Sequence, residues 1–324
     1  TQTTDNKTNT TIQILKDAST IQAKYYPSTW AYDFYGYHVD DAGGTLSDGA
    51  KTVTGIVIDG TQDLMAAKTK EVIEDSYQTE WGKLEESDKT LVADRAFSAW
   101  TARRDIQPIL VFKHLLTRLQ FNVIAGQEDA AINKYEGSGF TSNPTIGATE
   151  GAEEGQSTAV YIESIQVTGV KYKDITIDLD NQTATTEDAT TTEFILMQRP
   201  ESGGELENLT PTAPKAWAPA DGNYNEENPK KTPVGESIML LPNETTLNLK
   251  IKVSQWVVDT EGLDGTNKKY VKRSEDLEVE IDASTIQNST TQTDNKKFLP
   301  GESYNINITV YSFQRIEVSA ELTN

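Results

Sequence analysis

The chain has 324 residues, a formal charge of −21 at pH 7, only two histidines and no cysteine. That length admits two cores of ordinary size. The charge argues against nucleic acid, whose recognition needs clustered Lys and Arg, and against anionic membrane surfaces. The missing cysteines remove disulfides, thiolate metal sites and cysteine nucleophiles, and His38 and His114 alone leave little material for a multi-histidine centre.

From the N-terminus, residues 1–11 are polar and carry neither a signal peptide nor a lipid-attachment cysteine, so an exported form would be a processed or trimmed one. Short strands are predicted around Ile12 and Ile14, over Ala31 to Val39 and over Val53 to Ile58. Asp40, Asp41, Gly43 and Gly44 separate the last two, because Gly and Asp tolerate the backbone angles of tight turns. A helix follows, capped by Ser87 or Asp88 and running to Arg103, with Leu91, Val92, Ala96, Ala99 and Trp100 at three- and four-residue spacing. Tyr77, Trp81 and Leu84 form a looser turn before it. The break at Asp105 to Pro108 divides the chain into an N-terminal domain, 1–106, with a helical insertion over about 70–104, and a C-terminal domain, 107–324.

Past Pro108 the residues Val111, Leu115, Leu119, Phe121 and Val123 are expected on one strand face, with Leu119 and Phe121 pointing inward. Tyr161 to Val170 and the alternation Ile175, Ile177, Leu179 give two more strands. Residues 199–236 are rich in Pro, Gly, Asn and Glu and read as a long surface loop pinned by Trp217. Period-two patterning then dominates: Leu247 to Val253, Leu277 to Ile281, and Tyr304, Ile306, Ile308 and Val310. The last strand places Ile316, Val318, Ala320 and Leu322 on one face and Glu317, Ser319, Glu321 and Thr323 on the other. Such a terminal strand either joins its own sheet or completes another molecule's.

Little of this composition points to catalysis. No nucleophile elbow or oriented acid accompanies His114, so both histidines are expected to bond to backbone or a neighbour, with no catalytic residue, no cofactor and no metal. The acidic groups Asp174, Asp178, Asp180 and Asn181, and Asp259, Glu261 and Asp264, supply hard oxygens without the spacing of a calcium loop, and read as solvated turns. Aromatic faces stack on sugar rings, so Tyr25, Tyr26, Trp30 and Tyr35 are candidates for a glycan platform on a surface-anchored binding protein. Core packing of alternate aromatics is the competing reading.

Three ordered stretches carry a resemblance. They are Asp33-Phe34-Tyr35-Gly36-Tyr37-His38 followed by Asp63-Leu64-Met65-Ala66-Ala67; Leu110 through Val123 followed by Ile165-Gln166-Val167-Thr168-Gly169-Val170; and Phe298-Leu299-Pro300-Gly301-Glu302-Ser303-Tyr304 through Val310, running into Ile316 to Thr323. Together they resemble the fimbrillins of Bacteroidales, the subunits of type V pili. The resemblance implies an all-β chain of two Greek-key, transthyretin-like β-sandwich domains with no enzymatic activity. It implies an outer-membrane lipoprotein precursor, trimming by a processing protease, and assembly into a cell-surface fimbria by strand donation. The partners would be other pilus subunits and a host or bacterial surface ligand. The assembly strand would be the one bearing Ile316, Val318, Ala320 and Leu322.

Overall fold

The computed structural model describes residues 15–17, 20–21, 30–47, 51–125, 160–198, 207–208, 231–258, 270–286, 297–312 and 314–323. The strands are β1 (Leu15–Asp17), β2 (Thr20–Ile21), β3 (Tyr35–His38), β4 (Thr45–Leu46), β5 (Thr52–Ile56) and β6 (Met65–Lys68). Beyond a helical segment come β7 (Lys113–His114), β8 (Thr117–Ala125), β9 (Val160–Lys171), β10 (Ile175–Asp178), β11 (Thr183–Thr185), β12 (Thr191–Gln198) and β13 (Glu207–Asn208). The chain closes with β14 (Thr232–Leu240), β15 (Thr246–Val258), β16 (Tyr270–Asp282), β17 (Ser303–Ser312) and β18 (Arg315–Thr323). The fold is all-β and sandwich-like, and the chain divides into two compact units: Thr1–Tyr35 with Lys68–Val111, and Gly36–Ala67 with Phe112–Asn324.

The larger unit contains two principal sheets, ordered β13-β12-β9-β15-β16 and β14-β8-β17-β18. Alternation makes each sheet one-sided. Ile165, Val167, Leu249, Ile251 and Val253 are buried from the first, and Leu119, Phe121, Val123, Tyr304, Ile306 and Ile308 from the second. The two sheets pack closely at a bulge in β14, where Gly235 adopts φ +70° and an added Cβ would stand 2.7 Å from the Leu196 side chain of β12. A smaller sheet, β11-β10-β5-β4, buries Val53, Ile56, Ile175 and Ile177. Its β5, from the N-terminal side of the expected domain break, is hydrogen-bonded to β10 from the other side.

At the centre of the second sheet β8 and β17 run parallel, in register from Arg118 opposite Ser303 to Ala125 opposite Val310. The turn entering β17 fixes that register. Pro300 presets its own φ, Gly301 takes φ +75°, and Glu302 N–H closes onto Leu299 O at 3.4 Å, as a type II turn requires. Leu299 N–H donates to the buried Tyr304 hydroxyl at 3.0 Å, while Thr117 Oγ1 donates to Leu299 O at 2.9 Å. The Phe298 ring meets Tyr304 edge-on at 5.1 Å. Outside this apolar row, Asn122 Nδ2 donates across the parallel pair to Oδ1 of Asn307, which is only 2 % exposed.

The smaller unit carries α1 (Gln78–Trp81), α2 (Glu86–Val92) and α3 (Ala99–Ala102). Its core joins Val72, Tyr77, Val92, Phe97 and Ile106, with Phe34, Trp81 and Trp100 packed against them. The continuous helix expected from Ser87 to Arg103 is broken in two. Phe97 takes φ +56°, which ends the helical path and turns its ring onto Phe34, at 6.2 Å between centroids. Ser98 then caps a new helix by accepting from Thr101 N–H. The expected caps also differ: Glu85 occupies the N-cap of α2 without a side-chain bond, and Asp88 instead accepts from Arg104 Nε at 2.8 Å.

Two further expectations are corrected. Val111 does not share the buried face of Leu119 and Phe121; it is 45 % exposed, because β8 begins only at Thr117. The loop placed at 199–236 ends earlier, since Thr232 onward pairs with β8. Trp217, the expected strands at Ile12 and Ile14, and most of that loop lie outside the described residues.

Phe121, 2 % exposed between Val234 and Ile306, is expected to cost about 3–5 kcal/mol on truncation to Ala, read as a lower denaturant midpoint with an unchanged slope. In the helical unit, Tyr77 Oη donates to Gln107 O at 2.8 Å, and burial pushes its phenol up from the ordinary value of 10.0. A raised value in the folded state means that this stabilisation is complete below pH 10 and is lost as pH rises through the folded value. Alkaline titration followed by far-UV circular dichroism should therefore show the helical signal fading at high pH. In Tyr77→Phe that fading should be weakened, with about 1 kcal/mol lost at neutral pH from the missing bond.

Candidate assembly strand and an outward face

β18 pairs antiparallel with β17 along its length, from Ser303 opposite Thr323 to Val310 opposite Ile316. The expected assembly residues therefore lie in the chain's own sheet. Leu322, Ala320, Val318 and Ile316 stand directly opposite Tyr304, Ile306, Ile308 and Val310, so the two apolar rows share one face. Their burial differs. The β17 row is fully buried and Ala320 with it, whereas Ile316, Val318 and Leu322 are only half-buried at the edge of the sheet.

Polar contacts of β18 are at the surface. Arg315 lies 2.8 Å from Glu317, stacks over Tyr311 at 4.5 Å, and with the Tyr311 hydroxyl holds the Glu317 carboxyl below its ordinary range. Lys231 lies 2.8 Å from Glu321. Exposed pairs of this kind contribute little to holding a strand in place.

The glycan candidates separate. Tyr25 and Tyr26 lie outside the described residues, Trp30 is 75 % exposed, and Tyr35 is half-buried with the Lys68 ammonium 5.9 Å from its ring centroid. Tyr35 belongs to a face that periodicity alone does not reveal. Thr69 N–H donates to Phe34 O, Thr69 bridges Leu110 antiparallel, and Lys70 N–H donates to Ile109 O. Residues opposite one another share a face, so Phe34, Thr69 and Leu110 point inward. Tyr35, Lys68, Lys70, Ile109 and Val111 consequently point outward together. The unbroken apolar run Ile109 to Phe112 was the available signal, but its burial could not be decided without the partner strand.

Both histidines bond to carboxylates. His38 Nε2 is 2.5 Å from Asp40 Oδ1, Asp63 N–H donates to Asp40 Oδ2 at 2.7 Å, and His114 Nδ1 is 2.7 Å from Asp63 Oδ2. This links β3 to β7 through the two loops beside them. Of the acidic groups, Asp178 is committed to its own turn, accepting from Asp180 N–H and from the backbone and side chain of Asn181, which hold its carboxyl below the ordinary range. The group at Asp259, Glu261 and Asp264 lies outside the described residues. Among the described residues no cluster of three or more His, Asp or Glu is arranged to hold a metal ion, and no helix is long and apolar enough to cross a membrane.

No protein-family model matches the chain, and no curated protein matches it. Among solved structures, it is similar to a protein of Bacteroides uniformis described as a "putative cell adhesion protein", with 18 % identity and a TM-score of 0.38 over 90 % of this chain and 72 % of that one.

Proposed function

We propose that the chain is a structural or adhesive subunit of a cell-surface pilus, assembled by passing β18 to a neighbouring subunit. The observation that carries this reading is the position of β18: an edge strand bonded, among the described residues, to a single neighbour, with three of its four apolar anchors half-buried. Leaving β17 forfeits one ladder of backbone bonds, and docking in a groove of the neighbour's first domain restores it. The balance then rests on side-chain burial, where each aliphatic anchor contributes about 1.5–3 kcal/mol if fully buried. Two or three anchors passing from half to full burial give a net drive toward the polymer. The partners are other subunits of the fibre, a protease that trims the precursor, and a surface ligand. The precursor is an outer-membrane lipoprotein, and the chain itself performs no catalysis.

The absence of cysteine allows a direct test. Thr309 and Glu317 are opposite each other in the β17–β18 pair, outside the apolar row. The double variant Thr309→Cys/Glu317→Cys, once oxidised, ties β18 to its own sheet without disturbing the core. It is expected to fold, to fail to polymerise, and to polymerise after reduction, as seen by electron microscopy. Fibres of normal length from the oxidised chain would rule out donation of this strand.

A further inference from the structure

We infer that the outward face of the helical unit is a docking surface for the acidic edge of a second copy of this chain. The face consists of Tyr35, Lys68, Lys70, Ile109 and Val111, brought to one side by the register around Thr69. Ile109 and Val111 are 36 % and 45 % exposed, and Lys68 stacks over Tyr35. An exposed aliphatic pair beside an aromatic ring is the composition of a recognition patch, and the segment bearing it has no strand on its far edge among the described residues.

Charge selects the occupant. In a chain of net charge −21 this patch presents two lysines, and Lys70 forms no ion pair among the described residues. The opposite pattern lies along β16, the outermost strand of its sheet, where Glu275, Asp276, Glu278 and Glu280 are all exposed and none forms an ion pair among the described residues. Lys250 and Lys252 stand opposite Glu278 and Asp276, but Glu280 faces only Asn248. Along β16, Leu277 and Val279 stand opposite Ile251 and Leu249 on the sheet's inner face, so Asp276, Glu278 and Glu280 lie together on its outer face. One surface is thus basic and apolar, the other acidic, and like-charged alternatives repel.

Because the two surfaces are different parts of one chain, the contact is heterologous. It propagates head to tail, giving a ring if the rotation closes and an open row if it does not. A patch of this size belongs to the weak class of interfaces, with dissociation constants in the micromolar to millimolar range. The inference goes beyond the strand-exchange reading, since it needs β18 only where it already lies.

Sedimentation velocity on the full chain, over a concentration series reaching the millimolar range and at rising salt, tests it. The unsubstituted chain is expected to self-associate, less so as salt rises. Lys70→Gln/Val111→Ser on the face, and separately Glu278→Gln/Glu280→Gln on the edge, should each weaken association at least about tenfold. Mixing the two variants leaves one intact pair of surfaces and should restore a one-to-one complex that grows no further. Circular dichroism confirms that each variant is folded. A chain that is monomeric throughout, association indifferent to salt, or a mixture that forms no complex would each overturn the inference. The oxidised Thr309→Cys/Glu317→Cys chain separates the two readings: it should still self-associate through this face, and its failure to do so would assign association to β18 instead.

Discussion

The parallel pairing of β8 with β17 is the constraint on which the larger unit depends. A parallel pair cannot be closed by a tight turn, so everything between Ala125 and Ser303 must travel out and return before the two strands can meet. Their meeting aligns Leu119, Phe121 and Val123 with Tyr304, Ile306 and Ile308 in one buried layer. Such long-range contacts reward the chain only after the loop between them is closed. The turn at Leu299 to Glu302 compensates locally, since Thr117 and Tyr304 both bond to Leu299 and so position the two strands at their starting ends.

From that centre the sheet grows outward by antiparallel addition, β14 on one side and β18 on the other. Burial falls with distance from the centre. Tyr304 and Ile306 are fully buried, while Ile316 and Leu322 are only half-buried. The middle of a sandwich is accordingly held by more burial than its margin. β16 is the margin of the other sheet and is handled differently. Its acidic side chains discourage indiscriminate edge pairing while leaving a charge pattern that a basic surface can recognise.

Much of the fold was legible in the sequence because sheet burial has a period of two. Tyr304 to Val310 and Leu247 to Val253 announced their strands and faces by alternation alone. Where the reading failed, the deciding contact was remote. The helix expected to Arg103 stops at Val92, and the chain turns through Phe97, whose positive φ brings its ring onto Phe34, more than sixty residues away. Val111 looked like the start of the buried row, but a register set by Thr69 turns it outward. β18 was visible as an alternating segment; its pairing with β17 was not, because alternation reports a one-sided strand and is silent on which molecule supplies the other strand. The outward face with Lys68 and Lys70 was illegible for the same reason, being assembled from three segments distant in sequence.

The amide pair between Asn122 and Asn307 gives the central sheet a means of rejecting wrong alignments. Hydrophobic rows alone are forgiving, since a two-residue slip of β17 along β8 keeps every aliphatic side chain on the inner face. A slip that sets Asn307 opposite Ile124 would leave a nearly fully buried amide beside an aliphatic side chain, at a cost of about 1–3 kcal/mol. A slip of one residue is costlier still, because it turns the whole row outward. The amide pair therefore weighs against the slip toward Ile124, which the aliphatic row alone would tolerate.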